Sequence, residues 1–411
     1  MSYRCKTNMQ ESPACTGDFA RLLSRQGAAL NPYLCAGCCS CSSACPASGI
    51  HGMDPQKFIR LMVLGRNRDV LNTEWLWTCA LCHNCILSCP LGIDIPTAVY
   101  TARRLQPYHA IPGTLQAMVG ASNTTGNSIG KSPGWFLKLL RGIQGKLETV
   151  CDIEDPAIPI DKKGADVLLL TNTRLLQIKT DILASYAKIF HTAGEKWTMS
   201  SFAPDTFCPA FLAGNSYGEK IWAERISRIC ADLEIKTCVI DDCANPFAPF
   251  GAGNFRKKDS GLPFEVISSL ELVYRYLEKG RIALNPSILK STVTLHDPCK
   301  VERTRELLEF PRTLLEFFAQ DFVEMDRMKK DSVCCGGTLL ASGMEQDAMA
   351  FGKWKADQLR RSGAGTVAVL CKTCYMQMER LAHFYGLSCK VAFLPHLIGM
   401  AVKPAEKPHI P

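Results

Sequence analysis

One cysteine pattern occurs twice within residues 35–90. The first copy is Cys35, Cys38, Cys41 and Cys45, followed by Pro46; the second is Cys79, Cys82, Cys85 and Cys89, followed by Pro90. Both fit C-x2-C-x2-C-x3-C-P without adjustment. Two residues between cysteines let a tight loop turn three sulfurs toward one centre. The fourth cysteine then lies on the outgoing segment, which the proline redirects because its ring fixes φ and removes a backbone donor. Zinc asks for a single set of four ligands, not two matched sets with trailing prolines.

This is the ligand run of bacterial-type [4Fe–4S] ferredoxins, in which the fourth cysteine of each run serves the other cluster. The spacing therefore assigns Cys35, Cys38, Cys41 and Cys89 to one cubane cluster, and Cys79, Cys82, Cys85 and Cys45 to a second. Cys39 and His83 sit between ligands and read as a spare thiol and a spacer.

The rest of the composition fits that reading. The chain has 411 residues, 22 cysteines and 21% charged residues, which is the make-up of a folded globular protein. The opening MSYRCKTNMQESPAC has no apolar core of a leader, and no apolar run is long enough to span a bilayer. Reduced cytosolic thiols are expected, so the cysteines argue for metal rather than disulfides. Any membrane link is expected to come through a partner. The formal net charge is +8, but two cubanes of about −2 each would lower it. The basic residues are scattered, which argues against a nucleic-acid surface. Cys5 and Cys15 have no ligand spacing and read as spare thiols.

Along the chain, Phe19, Leu22 and Leu23 suggest one face of a short helix. Asp54-Pro55 starts a helix carrying Phe58, Ile59, Met62 and Val63, and Gly65 stops it. Residues 95–105 read as another helix. Residues 106–135 are rich in Pro, Gly, Ser, Thr and Asn and read as a linker, with a short helix over Trp135–Leu140. From residue 161 strands and helices alternate. Strands are expected at 166–170, 236–240, 292–296, 366–370 and 391–394, and helices at 181–191, 220–233, 264–279, 310–320 and 346–361. Such alternation predicts α/β units with parallel strands.

A second constellation lies in that region: Cys299 in HDPC, Cys334-Cys335 in VCCGG, and Cys371 and Cys374 in LCKTC. Written out it is C-x34-CC-x35-C-x2-C. Each group follows an expected strand or lies in a loop, where open α/β sheets hold their ligands. Gly336 and Gly337 permit close backbone approach. Five cysteines are too many for a cubane or for tetrahedral zinc, and point to a cluster with an irregular core. His296 and His383 lie near this motif in sequence and read as structural histidines or proton donors. The α/β unit also repeats weakly. TFCPAFLAG around Cys208 takes the place of VCCGG, and Ile240-x2-Cys243 the place of the C-x2-C pair. The first copy reads as a structural repeat without a cluster.

Residues 35–104 resemble the small iron–sulfur subunit of heterodisulfide reductase, including the intervening DPQKFIRLMVLG and PLGIDI. Residues 161–411 resemble the cysteine-rich (CCG) domains of that enzyme's catalytic subunit. The resemblance implies that Cys299, Cys334, Cys335, Cys371 and Cys374 hold a non-cubane [4Fe–4S] cluster and carry the sulfur chemistry. It implies a helical two-cluster ferredoxin-like domain at 1–106, a linker at 107–160, a degenerate cysteine-rich α/β unit at 161–284 and an intact one at 285–411. It further implies a subunit of a membrane-bound redox complex on the cytoplasmic face. Its partners would be a haem b-type integral membrane subunit, other iron–sulfur or multihaem cytochrome c subunits, and a thiol or disulfide partner. The heterodisulfide-cleaving subunit has two intact five-cysteine motifs and this chain has one, which favours the single-motif versions of sulfate-respiring complexes. Two other readings stay open: the iron–sulfur subunit of a flavin-linked 2-hydroxy acid or glycerol-3-phosphate dehydrogenase, and a non-catalytic electron-transfer scaffold whose five-cysteine site is structural or zinc-bound.

Overall fold

A computed structural model describes residues 19–151, 157–202, 205–241, 262–299 and 305–404. Cys5, Cys15 and Cys243 lie outside the described residues.

The first part is helical. Helix α1 (Phe19–Ser24) buries Phe19 and Leu23 but leaves Leu22 exposed, so the expected three-residue face is two residues wide. The short α2 (Ser40–Ser43) lies within the first cysteine run. Helix α3 (Pro55–Val63) starts as its sequence dictates: the Asp54 carboxylate accepts the Lys57 N–H at 3.0 Å, with Pro55 at the first turn. Gly65 at φ 68° ends it. Helices α4 (Asn67–Leu71), α5 (Trp75–Thr78) and α6 (Asn84–Ser88) lead into α7 (Ile95–Arg104), capped by Asp94.

The stretch read as a linker is mostly helix. Helix α8 (Gly113–Thr125) buries Leu115, Met118, Val119 and Ser122 on one face and stops at Gly126, φ 84°. Helix α9 (Pro133–Cys151) absorbs the short helix expected over Trp135–Leu140. The Ser, Thr, Asn and Gly content masked an i, i+3, i+4 pattern, and tertiary burial outweighs weak local propensity.

Two parallel sheets follow. The first comprises β1 (Val167–Leu170), helices α10 (Thr173–Ile178) and α11 (Asp181–Thr192), and β2 (Trp197–Thr198). It continues through α12 (Pro209–Ala213), α13 (Ser216–Asp232), β3 (Thr237–Ile240), β4 (Glu265–Ser268) and α14 (Ser269–Glu278). The expected helix from Phe264 thus begins five residues late. Glu265–Ser268 pairs with β3, and Ser268 then caps α14 by accepting the Glu271 N–H.

After β5 (Ile282–Leu284) the second sheet comprises β6 (Leu289–His296), α15 (Arg305–Phe318), β7 (Ala319–Phe322), α16 (Gly337–Ala341), α17 (Glu345–Ser362), β8 (Thr366–Val369), α18 (Lys372–Phe384), β9 (Lys390–Phe393) and α19 (Leu394–Ala401). Strand β10 (Val402–Pro404) returns to pair antiparallel with β5.

The sheet orders are β2-β1-β3-β4 and β7-β6-β8-β9, with every pair parallel. These are the same order, second-first-third-fourth, so the α/β unit is repeated in topology. The two units meet where α19 crosses α11. Gly399 lies so close to Ser185 that an added Cβ would sit 2.5 Å from the serine Cβ. His396 Nδ1 and Ser185 Oγ are 2.9 Å apart at the same crossing.

Candidate iron–sulfur centres

In both ferredoxin-type runs the backbone turns at equivalent positions. Gly37 and Cys39 have φ of 71° and 60°, and their counterparts Leu81 and His83 have 52° and 66°. Left-handed residues within such a turn aim successive N–H groups into one concavity, an arrangement that iron–sulfur sites use. A leucine there is strained, so this loop shape is imposed rather than merely permitted. His83, read as a spacer, is one of the residues that makes the turn.

Cys35, Cys38, Cys41 and Cys89 line one hollow, together with Cys39. Cys45, Cys79, Cys82 and Cys85 line a second. The fourth cysteine of each run therefore lies with the first three of the other. The two hollows differ in depth. Cys38 is exposed and Cys35 and Cys89 are half-buried, whereas Cys82 and Cys85 are buried. Burial pushes the Cys41 thiol up to about 11, and raises Cys45 and Cys85 well above the ordinary thiol value, with Cys82 and Cys79 adding to it. Such thiols become ligands only when a cation shares the hollow.

Arg103 holds the second hollow in place. It is buried on α7 and donates to the carbonyls of Leu76 (2.9 and 2.7 Å), Cys79 (2.6 Å) and Leu212 (2.9 Å). Burial brings its guanidinium down to about 10. One side chain so ties a cysteine loop to the first α/β unit. It was invisible as a site residue in TARRLQ, although Ile95, Val99 and Arg103 form an i, i+4 stripe on the buried face.

The five-cysteine motif converges from three loops. Cys299 follows β6, Cys334 and Cys335 precede α16, and Cys371 caps α18, whose first turn holds Cys374. Cys334, Cys335, Cys371 and Cys374 are buried and Cys299 is half-buried. The approach is as close as the paired glycines allow. A Cβ on Gly337 would lie 2.7 Å from the Thr373 carbonyl oxygen, and one on Gly336 would lie 2.8 Å from the Phe351 ring. Backbone N–H groups already face sulfur, Cys374 to Cys371 at 3.4 Å and Gly336 to Cys334 at 3.5 Å. Gln377 donates to the Cys335 carbonyl at 2.9 Å and fixes α18 against that turn.

The titration of these thiols is interlocked. Cys334 is raised well above its ordinary value by hydrogen bonding with Cys299, Cys335 and Cys82. Cys335 is held well below its ordinary value by Cys334 and Cys374. His296 also acts on Cys335. It is fully buried at the end of β6, its ring and the sulfurs of Cys335 and Cys374 lie within 4.8 Å of one another, and neither ring nitrogen has a well-formed hydrogen bond. His383 is different: it is exposed near the far end of α18, roughly 13 Å along the helix from Cys374. Of the two histidines, the fold brings only His296 to the cysteines.

Unmatched buried donors and clustered sulfurs are what a chamber for an anionic inorganic group should show. The residues present fit such a group. The first α/β unit has a different filling. Cys208 is buried and pushed up to about 12 by that burial. Nearby, Lys372 reaches from between the second unit's cysteines to an ion pair with Asp241 at the end of β3. Counted from the strand ends, Cys371 corresponds to residue 242 rather than to Ile240, which completes β3 as a core residue.

A 4Fe-4S dicluster domain matches residues 32–93, and a cysteine-rich domain matches residues 293–379. Fold and cysteine sets thus define an iron–sulfur protein joining those two domain types. The Hdr-like menaquinol oxidoreductase iron-sulfur subunit 2 of Archaeoglobus fulgidus is 28% identical over 322 residues, covering 67% of this chain and 57% of that protein. A probable membrane-anchored ferredoxin of Chromohalobacter salexigens is 24% identical, over 84% of this chain and 56% of its own length. A subunit of the dihydromethanophenazine:CoB–CoM heterodisulfide reductase of Methanosarcina mazei is 32% identical over 225 residues, covering 53% of this chain and 54% of that protein. The chain therefore spans a little over half the length of these curated relatives. It carries a 4Fe-4S dicluster domain and a cysteine-rich domain, and is similar to iron–sulfur subunits of Hdr-like menaquinol oxidoreductase and of heterodisulfide reductase. Among the described residues no helix is long and apolar enough to cross a membrane.

Proposed function

We propose that the chain is the electron-transfer subunit of a membrane-associated redox complex, with a sulfur-active terminus at the five-cysteine site. Cys35, Cys38, Cys41 and Cys89 hold one cubane. Cys45, Cys79, Cys82 and Cys85 hold the other. Cys299, Cys334, Cys335, Cys371 and Cys374 hold a non-cubane [4Fe–4S] cluster. Bound there, the groups supply one-electron outer-sphere transfer at the first two sites and electron exchange with a thiol, disulfide or trisulfide at the third. The observation that carries this reading is the influence of Cys82 on the Cys334 thiol, which supports a short path between the inner ferredoxin-type site and the five-cysteine chamber.

The protein's part is burial and positioning. Arg103 fixes the Cys79 loop, Gly337 lets α18 close on the Cys334-Cys335 turn, and the apolar surroundings exclude water from the inner sites. The exposed Cys38 end faces a redox partner, read as a haem b-containing or quinol-linked membrane subunit. The half-buried Cys299 end faces the sulfur substrate. The names of the relatives support such a complex, and a peripheral place on the cytoplasmic face of the membrane follows from it.

The test compares the anaerobic protein with Cys334→Ser. The unmodified protein should show ferredoxin-type signals and a distinct third paramagnetic signal, with disulfide-dependent oxidation of the reduced protein. Cys334→Ser should lose the third signal and the oxidation while keeping the ferredoxin-type signals. Full disulfide reactivity in Cys334→Ser would remove the sulfur-active assignment.

A further inference from the structure

The five-cysteine chamber has a cation in its wall. Lys355, on the inner face of α17, is fully buried, and its Nζ has no hydrogen-bond partner. The carboxylate nearest in influence is Asp297, and it is already occupied. Arg312 donates to both its oxygens, at 2.9 and 2.8 Å, and the Lys329 N–H adds a third bond at 2.7 Å. The other groups that act on Lys355 are the thiols of Cys335, Cys334 and Cys374, which would be negative as cluster ligands.

The helix places it there by geometry. Phe351 and Gly352 of α17 press on Gly336 and on the Cys335 carbonyl, and Lys355 follows one turn later on the same face. A lone ammonium in a dry interior is unfavourable unless an opposing charge meets it. Burial pulls it down to about 8, and the cysteine sulfurs oppose that fall.

We infer that Lys355 is the buried counter-cation of the five-cysteine cluster, a positioning residue that offsets its negative charge and sets its reduction potential. The inference rests on the proposed cluster at this site and goes beyond it by assigning a tuning residue outside the cysteine motif. Its charge favours the more negative, reduced state of whatever the five sulfurs hold.

The test uses the full chain, purified anaerobically, with paramagnetic redox titration of each signal. Lys355→Met should lower the midpoint potential of the third signal and leave both ferredoxin-type potentials unchanged. Lys355→Arg, which keeps the charge, should stay near the unmodified potential. If Lys355→Met cannot retain the third cluster, the same role is shown by loss of about four irons in Lys355→Met but not in Lys355→Arg, with both cubanes intact. An unchanged potential in Lys355→Met overturns the inference. So does a Lys355→Arg variant that loses potential or iron as severely as Lys355→Met. A third signal absent from the unmodified protein would instead count against the functional reading on which this one stands.

Discussion

Cys82, in the second ferredoxin-type loop, acts across the domain boundary on the thiol of Cys334, in the cysteine pair before α16, and helps raise it above its ordinary value. They belong to different domain types. The boundary is bridged nearby: His51 bonds Asp347 at 2.9 Å, joining the helical part to α17.

Cys82→Ser should therefore disturb two sites unequally. Loss of about four irons is expected, together with failure of an electron donor at the Cys38 end to reduce the five-cysteine site. Iron analysis and stopped-flow reduction measure both. Reduction of the third site at the unmodified rate would break the proposed route.

Gly337→Ala should act on the five-cysteine site alone. Its Cβ would meet the Thr373 carbonyl, and backbone cannot swing aside as a flexible side chain can. A cost of about 1–3 kcal/mol is expected from such overpacking. The third paramagnetic signal should weaken while the ferredoxin-type signals persist. Equal loss of all signals would show that α18 is not positioned independently.

Arg103→Met should be among the more destabilising single changes. It strips the buried carbonyls of Leu76, Cys79 and Leu212 of their donor. About 2–4 kcal/mol is expected from leaving such acceptors unpaired, read as a lowered urea midpoint under anaerobic conditions. A change below about 0.5 kcal/mol, the level of ordinary surface substitutions, would contradict the bracing role.

Thiol labelling should separate ligands from spare cysteines. Cys38 and Cys39 are both exposed, and hydrogen bonds from Ser40 hold the Cys38 thiol below its ordinary value. In the iron-loaded protein Cys39 should alkylate and Cys38 should not. After iron removal both should react, Cys38 the faster because more of it is thiolate at neutral pH. Cys208, buried and raised to about 12, should react in neither state. Peptide mass spectrometry reads all three, and equal labelling of Cys38 and Cys39 in the loaded protein would remove Cys38 from the ligand set.

Much of the architecture was legible because its signals are local. Asp54-Pro55 and Asp94-Ile95-Pro96 announce their helices through capping chemistry, and DVLLL and TVAV are buried strands in plain composition. The shared sheet order of the two α/β units was visible only as a faint repeat around Cys208. Helix α8 was hidden because Gly120, Ser122, Asn123, Thr124 and Thr125 have weak helical preference, and only packing reveals the face it buries; of α9 only the stretch Trp135–Leu140 was legible. The grouping of Cys35, Cys38, Cys41 and Cys89, and of Cys45, Cys79, Cys82 and Cys85, was legible because regular cysteine spacing is a local signal. His296 was singled out only together with His383, which lies away from the cysteines. Arg103 and Lys355 were not legible, because nothing local distinguishes a buried basic residue from a solvated one. The exception is its place on an apolar i, i+4 stripe, as with Phe351, Lys355 and Leu359.

The most direct measurement of the central claim is the content of iron and acid-labile sulfide per chain in anaerobically purified protein. Three four-iron groups on thirteen cysteines require about twelve of each. About eight irons, or zinc in place of the remainder, would contradict a third cluster at Cys299, Cys334, Cys335, Cys371 and Cys374.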